Sequence, residues 1–118
     1  MTYPFSTPNQ MAKFEVIDEV PERAMVIFAH PDDAEIGAGA TAALWASQGC
    51  EITFVQCTTG SSGSNDTDMT SERIVEIRAA EQRAAADATG VGDIVVLDHP
   101  DGELEADRTF LGEIVHAL

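Results

Sequence analysis

The chain has 118 residues, of which 44% are hydrophobic and 6% aromatic, so it is long enough for one small domain with a modest core. Aspartate and glutamate number 21 against 6 lysines and arginines, and the formal net charge is -15. Such a surface repels phosphate backbones and anionic lipids, which argues against nucleic-acid and membrane partners. No apolar run is long enough for a membrane span, and the N-terminus lacks the basic and apolar regions of a secretory signal.

Two features of the composition bear on the setting of the protein. The sequence is rich in acids and has a single lysine, Lys13, which fits either an ordinary solvated surface or a high-salt organism. The two cysteines, Cys50 and Cys57, lie at opposite ends of a predicted strand, too far apart for a mutual disulfide. Free, buried thiols predict a cytoplasmic protein.

Residues 1–23 are predicted to form an N-terminal arm, because prolines interrupt them and no periodicity persists. Inside the arm, Phe14, Val16 and Val20 predict a short edge strand. From residue 24 the pattern is regular. The predicted elements, in chain order, are a buried strand at 25–29, a helix at 35–48, a strand at 52–56, a polar loop at 58–70, a helix capped by Thr70 or Ser71 and ended by Gly90, a strand at 94–97, and a helix from about Thr109.

The two longer helices are predicted from residues at helical spacing. The first has Ile36, Ala40, Ala43, Leu44 and Ser47 along one face, and the second has Ile74, Ile77, Glu81, Ala84 and Ala88. Strands that alternate with helices predict an α/β fold with a parallel sheet and right-handed crossovers. The last segment stops in mid-helix without a stop signal, so we expect the fold to be incomplete in this chain.

Polar residues follow all three predicted strands. In an open parallel sheet, ligands bind outside the carboxyl ends of the strands. The residues at these ends are His30, Asp32 and Asp33 after the first strand, Thr58, Thr59, Gly60 and Ser61 after the second, and Asp98, His99 and Asp101 after the third. The sequence therefore predicts a site at this edge.

His30 and Asp33 are candidate metal ligands. Pro31 biases His30 towards an extended backbone, which can aim both side chains at one point. Imidazole and carboxylate suit zinc, among other divalent metals, and Asp32 is then the candidate base for metal-bound water. The alternative is that Asp32 or Asp33 only caps the helix that follows, and a catalytic zinc site usually needs a third ligand.

Other polar residues near the strand ends have ordinary structural interpretations. Glu35, in the first helical turn, favours the helix dipole. His99 is more readily explained as the start of a turn with Pro100. Arg78 and Glu81, three apart on the second helix, form either a surface ion pair or a contact with a polar substrate.

The residues from Gly37 to Ala42 match the loose dinucleotide-binding pattern, which makes a dinucleotide-binding Rossmann module an alternative function. The context argues against it, because HPDDAE separates the first glycine from the strand and no acid follows the second strand. We interpret these small residues as those that let the helix pack closely on the sheet.

The stretch AHPDDAEIGAGAT at 29–41 resembles the signature of the LmbE-like family, also called the N-acetylglucosaminyl-phosphatidylinositol de-N-acetylase or PIG-L family. The similarity continues through T-x-G at 58–60, R-x-x-E at 78–81 and LDHPDG at 97–102, so residues 24–118 resemble the N-terminal part of a LmbE-like deacetylase domain. This resemblance implies a Rossmann-like three-layer fold with a mostly parallel sheet.

The resemblance also implies a function. Family members are zinc-dependent hydrolases that remove acetyl groups from amino sugars, so the expected substrate is a small amino-sugar conjugate. At the matching positions, His30 and Asp33 would bind Zn²⁺, Asp32 would be the general base, and Arg78 and Asp101 would bind the sugar.

The chain departs from the family pattern in two places. The family's third metal ligand is a histidine of a later HxxH motif, and nothing in this chain matches it. Ser61 stands where the family often has glutamate. We therefore expect this chain alone to be inactive, either as a fragment or as one half of a split protein that acts only with a partner chain. A homo-oligomer is a further alternative.

Overall fold

Three parallel strands and three helices alternate along the chain. The computed structural model describes residues 15–118, which contain β1 at Arg23–Phe28, α1 at Asp33–Ser47, β2 at Glu51–Thr58, α2 at Ser71–Thr89, β3 at Asp93–His99 and α3 at Arg108–Ala117. The sheet order is β1-β2-β3, with both pairs parallel. The predicted Rossmann-like α/β fold is confirmed, and the carboxyl ends of all three strands lie at one edge of the sheet.

The central strand β2 is the most deeply buried element, because helices approach both of its faces. Phe54 points towards α1 and α2, where Phe28 packs edge-to-face on it with ring centroids 5.6 Å apart. Val55 and Cys57 alternate onto the opposite face, which α3 covers in part. Cys50 and Cys57 are both buried and free, as the sequence predicts.

The helix boundaries follow local sequence signals. Thr70 caps α2 by accepting a hydrogen bond from the N–H of Arg73 at 3.2 Å, and Gly90 ends the helix in the left-handed conformation. Asp107 caps α3 in the same way, through the N–H of Phe110 at 2.8 Å. Over residues 15–118, each helix is too short or too polar to cross a bilayer.

The predicted edge strand in the N-terminal arm is wrong where the structure describes it. Residues 15–20 form no strand. Val16 is exposed, and Val20 packs against the core next to β1. Phe14, the third residue of that prediction, lies outside the described residues.

The face that α1 turns to the sheet differs from the predicted one. Ile36 and Leu44 are 84% and 55% exposed, whereas Ala34 and Ala42 are buried. A helix that is apolar on all sides gives no preferred face in its sequence, and the small alanines allow the closer approach to the sheet.

The predicted stripe of α2 is also wrong in part. Glu81, Ala84 and Ala88 are exposed, although Ile74 is buried as expected. The other buried residues of the helix are Gln82 and Ala86. A polar glutamine on the buried face is the reason that apolar spacing alone misplaces this face.

Candidate active site

The turn between β1 and α1 carries the two candidate metal ligands. The N–H of His30 donates to Oδ2 of Asp33 at 3.0 Å, and the N–H of Asp33 donates to the carbonyl oxygen of His30 at 3.3 Å. These bonds close the turn and bring Nδ1 of His30 to 3.5 Å from Oδ2 of Asp33. The two side chains are 53% and 46% exposed, so the pair is open to a ligand.

The spacing of this pair fits two donors on one zinc ion. Zinc bonds of about 2.1 Å at the tetrahedral angle place two donor atoms about 3.4 Å apart. The observed separation of Nδ1 and Oδ2 is 3.5 Å. Between residues 15 and 118, no three His, Cys, Asp or Glu side chains are grouped to hold a metal ion.

Asp32 stands at the N-cap position of α1 but does not cap it. Its backbone is left-handed, with φ 78° and ψ -22°, and its side chain makes no capping hydrogen bond. Oδ2 of Asp32 instead accepts a hydrogen bond from Nη1 of Arg78 at 2.9 Å. The helix-capping alternative therefore does not explain this aspartate, and its carboxylate lies in the site.

Arg78 forms the ion pair with Glu81 that its spacing suggests, and it also contacts Asp32. Nη1 lies 3.2 Å from Oε2 of Glu81, the ion pair along the helix, and 2.9 Å from Oδ2 of Asp32. Arg78 also lines a cleft of about 190 Å³ beside Met69 and Ile74. A guanidinium in this place can hold a polar substrate group next to Asp32.

Gln82 also belongs to this site, although the sequence analysis did not select it. Its Oε1 accepts a hydrogen bond from the N–H of Asp32 at 3.2 Å, and its Nε2 donates to Oε1 of Glu35 at 2.7 Å. The side chain is only 2% exposed. The available signal was its position four residues after Arg78, because residues four apart share a helix face.

The loop after β2 packs directly on the turn after β1. Gly60 has φ 74°, and a Cβ placed on it would lie 2.8 Å from Cγ of Pro31. Both the left-handed backbone and the close approach require glycine at this position. The contact holds loop 58–70 against the turn that carries His30.

Asp101 joins the loop after β3 to the loop after β2. Its Oδ1 accepts the N–H of Gly60 at 3.0 Å, and its Oδ2 accepts the N–H of Ser62 at 3.1 Å. Burial raises the pKa of Asp101, but hydrogen bonds from the Thr58 hydroxyl and these two N–H groups, with the charge on His30, lower it below its ordinary value. The structure thus brings residues from all three strand ends into one site.

His99 lies at the end of β3 but faces away from this site. Its Nε2 is 2.5 Å from Oε2 of Glu113 on α3, and its ring packs edge-to-face on Phe110 at 5.9 Å. The same glutamate lies near the Cys57 thiol. Burial is the main cause that raises the pKa of this thiol, and the negative charge of Glu113 is the second. His99 therefore fastens α3 to the sheet.

A β-bulge precedes His99. Between the pairs Gln56–Val96 and Thr58–His99, β3 advances one residue more than β2, and Asp98 takes a φ of 66°. Bulges of this kind redirect the side chains that follow them.

The glycines of α1 do not have the roles that their pattern suggests. Gly37 and Gly39 lie inside the helix and not in a strand-to-helix turn, so the dinucleotide-binding geometry is absent from this segment. A Cβ on Gly37 would meet nothing within 4 Å, and one on Gly39 would meet only Cβ of Glu35 at 3.7 Å. Our close-packing interpretation is therefore wrong for these two glycines.

Residues 25–118 match the sequence profile of the GlcNAc-PI de-N-acetylase family, PIG-L. The chain belongs to this family. The matched region begins within β1 and includes the site at the carboxyl edge, so the family resemblance of the HPDD segment extends over the whole described α/β unit.

Two deacetylases and one hydratase illustrate what this PIG-L chain is similar to. A 1D-myo-inositol 2-acetamido-2-deoxy-alpha-D-glucopyranoside deacetylase from Kineococcus radiotolerans is 34% identical over 99 residues, which cover 80% of this chain and 27% of that protein. The N,N'-diacetylchitobiose deacetylase from Pyrococcus horikoshii superposes with a TM-score of 0.80 at 29% identity, over 81% of this chain and 36% of that one. GalB, the 4-carboxy-2-hydroxymuconate hydratase from Pseudomonas putida, superposes with a TM-score of 0.74 at 27% identity, over 82% of this chain and 42% of that one.

These comparisons limit what the fold alone can tell. This chain spans between 27% and 42% of the length of these three relatives. Since a hydratase and deacetylases share this architecture, the residues of the site must decide the chemistry.

Proposed function

We propose that this protein is a zinc-dependent N-deacetylase that hydrolyses the acetamide of an amino-sugar conjugate. The observation that carries the proposal is the pair of donor atoms on His30 and Asp33, 3.5 Å apart in the turn that also bears Asp32. The names of the two deacetylase relatives support the substrate class. The third zinc ligand comes from outside the described residues.

His30 and Asp33 would hold the zinc ion, which when bound supplies Lewis acidity for water and for the amide carbonyl. The carboxylate of Asp32 accepts a proton from the water that attacks the amide carbonyl and passes it to the amide nitrogen as the C–N bond breaks, which gives acetate and a free amine. Arg78 steadies that carboxylate through its Nη1 contact at 2.9 Å and keeps further N–H donors for the substrate.

Asp101 contributes to substrate binding from the other side of the site. Each of its oxygens has one observed N–H partner, from Gly60 or Ser62, and a carboxylate oxygen can accept a second hydrogen bond. A hydroxyl of the sugar is a suitable donor. Asp101 would thereby bind the substrate and hold the loop at the same time.

The test is acetate release by the full-length gene product from N-acetylglucosaminyl-inositol and from diacetylchitobiose, with zinc content measured in parallel. We expect Asp33→Ala to lose both bound zinc and activity, because it removes one of the two proposed zinc ligands. Asp87→Ala, a matched loss of an exposed carboxylate on α2, should keep both. An Asp33→Ala protein that retained its metal and its rate would contradict the proposal.

Two further compounds, one tested as a substrate and one as a ligand, distinguish this function from hydratase activity and from dinucleotide binding. Turnover of 4-carboxy-2-hydroxymuconate without acetate release would favour the hydratase chemistry of the Pseudomonas relative. Saturable quenching of Trp45 fluorescence by NAD would favour a dinucleotide-binding module. We expect neither result, because His30, Asp32 and Asp33 form a hydrolytic set and no glycine-rich strand-to-helix turn is present here.

The source of the third ligand is open to a direct measurement. Zinc stoichiometry of the purified protein, alone and with any chain that co-purifies, distinguishes one complete site per chain from one site per complex. One zinc per complex would support a site shared between two chains.

A further inference from the structure

We propose that Gln82 is a positioning residue that sets the direction of the Asp32 carboxylate. This inference rests on the proposed function, in which Asp32 accepts a proton. Gln82 forms hydrogen bonds with Asp32 and Glu35 and with neither candidate metal ligand, and it does not line the cleft beside Arg78, so its effect on the site would be exerted through the backbone of Asp32.

Asp32 has a backbone conformation that needs external support. Its φ of 78° is unfavourable for a residue with a Cβ, and in the described part of the chain only Asp98 shares a positive φ among residues other than glycine. The Asp32 side chain forms no capping hydrogen bond that would stabilise the turn. The support comes instead from α2.

Gln82 supplies this support through a fixed amide orientation. The backbone N–H of Asp32 can only donate, so the atom that faces it at 3.2 Å must be the amide oxygen, Oε1. The amide nitrogen, Nε2, is then left to face Oε1 of Glu35 at 2.7 Å. With 2% of its surface exposed, the side chain is shielded from water that could replace these two hydrogen bonds.

Asp32 is thus held by α2 at two points. Arg78 bonds its carboxylate at 2.9 Å, and Gln82, four residues later on the same helix face, bonds its N–H. Without the second bond, Asp32 is free to relax into right-handed helical geometry, which would extend α1 by one residue. The carboxylate would then rotate away from His30 and Asp33, and proton transfer would slow.

The test exchanges donor and acceptor between Gln82 and Glu35 in the full-length protein. Gln82→Glu still offers an acceptor to Asp32 but faces a second carboxylate across the 2.7 Å contact. Combining it with Glu35→Gln restores a donor opposite an acceptor. Gln82→Met removes both bonds at similar volume, and Gln48→Met is the matched control at an exposed glutamine.

We expect Gln82→Met and Gln82→Glu to lower kcat for deacetylation by about 10- to 100-fold, as small misplacements of catalytic groups do. KM and zinc content should stay within about twofold, because the substrate and metal contacts remain. The double variant should recover kcat to within about threefold of the wild type, as a restored hydrogen-bond pair allows. A glutamine that only stabilised the fold would instead lower kcat and zinc content together, because both would follow the fraction of folded protein.

A second readout follows the backbone without catalysis. With aspartate selectively labelled with ¹³C and ¹⁵N, the chemical shifts of Asp32 should move towards helical values in Gln82→Met and return in the double variant. Normal kcat in Gln82→Met, or a double variant no better than Gln82→Glu, would overturn the inference. A wild-type protein that released no acetate would defeat the proposed function, and the Asp32 shifts would still decide whether Gln82 holds this backbone.

Discussion

Two His-Pro-Asp segments flank the central strand, and they use the same three residue types in different ways. After β1, His30 and Asp33 place donor atoms 3.5 Å apart at an exposed position. After β3, His99 pairs with Glu113 of α3, and Asp101 accepts two N–H groups from the loop after β2. The first segment leaves its histidine and its last aspartate exposed, whereas the histidine and aspartate of the second already contact other parts of the protein.

The residue after the tripeptide and the local backbone explain the difference. HPDD ends in Asp33, which begins α1 and adds a carboxylate three residues after the histidine. HPDG ends in Gly102, whose φ of 78° leads the chain into a loop, and the bulge at Asp98 redirects the residues before it. A short motif thus acquires its chemistry from the neighbouring residues at the end of its strand.

The largest expected effect separates the aspartates inside the two tripeptides. Asp32→Asn should lower kcat by about 10²- to 10⁴-fold with zinc retained, because it removes the proton acceptor. Asp101→Asn should act mainly on KM, because its carboxylate positions a loop and the substrate. Kinetics of both variants on one N-acetyl substrate, with metal analysis, test this division. Equal losses of kcat would remove the distinction between the two segments.

Two glycines with left-handed backbones give the next largest expected effect. Gly60→Ala should lower the free energy of unfolding by about 2–4 kcal/mol, because the new methyl group is strained in the backbone and also overlaps Pro31. Gly102→Ala should lower it by about 1–2 kcal/mol, since a Cβ there meets nothing within 4 Å. Urea denaturation of both variants measures the two losses. A Gly102→Ala loss as large as that of Gly60→Ala would show that contact with Pro31 does not matter.

The parts of the fold that could be predicted are those with local causes. The cap at Thr70 and the stop at Gly90 depend on residues next to them, and the alternation of strands and helices gave the parallel sheet. The face of α1 could not be predicted, because Ile36 and Leu44 are as apolar as the alanines that are buried.

In the site, the sequence could indicate residues at strand ends but not contacts between distant elements. His30, Asp32 and Asp33 were found because topology places them at the binding edge. Gln82 was missed because its role depends on Asp32, 50 residues earlier in the chain, and its spacing of four from Arg78 does not show which residue it contacts.

We expect His99 to contribute to stability and not to activity, unlike the candidate metal ligand His30. His99→Ala should lower the free energy of unfolding by about 1 kcal/mol, the usual value of a hydrogen bond, and leave deacetylation unchanged. The partly buried contact with Glu113 is the cause, so a double-mutant cycle with Glu113→Ala should show coupling. His116, an exposed histidine on α3, provides the control variant His116→Ala. Lost activity in His99→Ala would place that histidine in the site after all.

The smallest expected effect is on acid stability, and its sign follows from the lowered pKa of Asp101. Burial opposes the shift, but hydrogen bonds from Thr58, Ser62 and Gly60, with the charge on His30, outweigh it, so the folded-state pKa lies below the ordinary value of 3.8. The unfolded chain therefore takes up the proton first as pH falls. The stability that Asp101 adds is complete above its unfolded pKa and is lost as pH falls through the folded one.

Asp101→Asn removes the charge and also, at every pH, one of the two acceptor oxygens, so only part of the difference from the wild type should change with pH. The difference in the free energy of unfolding between the two proteins should be largest near neutral pH and shrink from about pH 5 towards about pH 2, where the carboxyl is protonated in both states. Urea denaturation at a series of pH values measures it. A difference that stays constant over this range would mean that the N–H groups of Gly60 and Ser62 bind the protonated carboxyl as well as the carboxylate. In that case the second His-Pro-Asp segment would hold its loop by shape and not by charge.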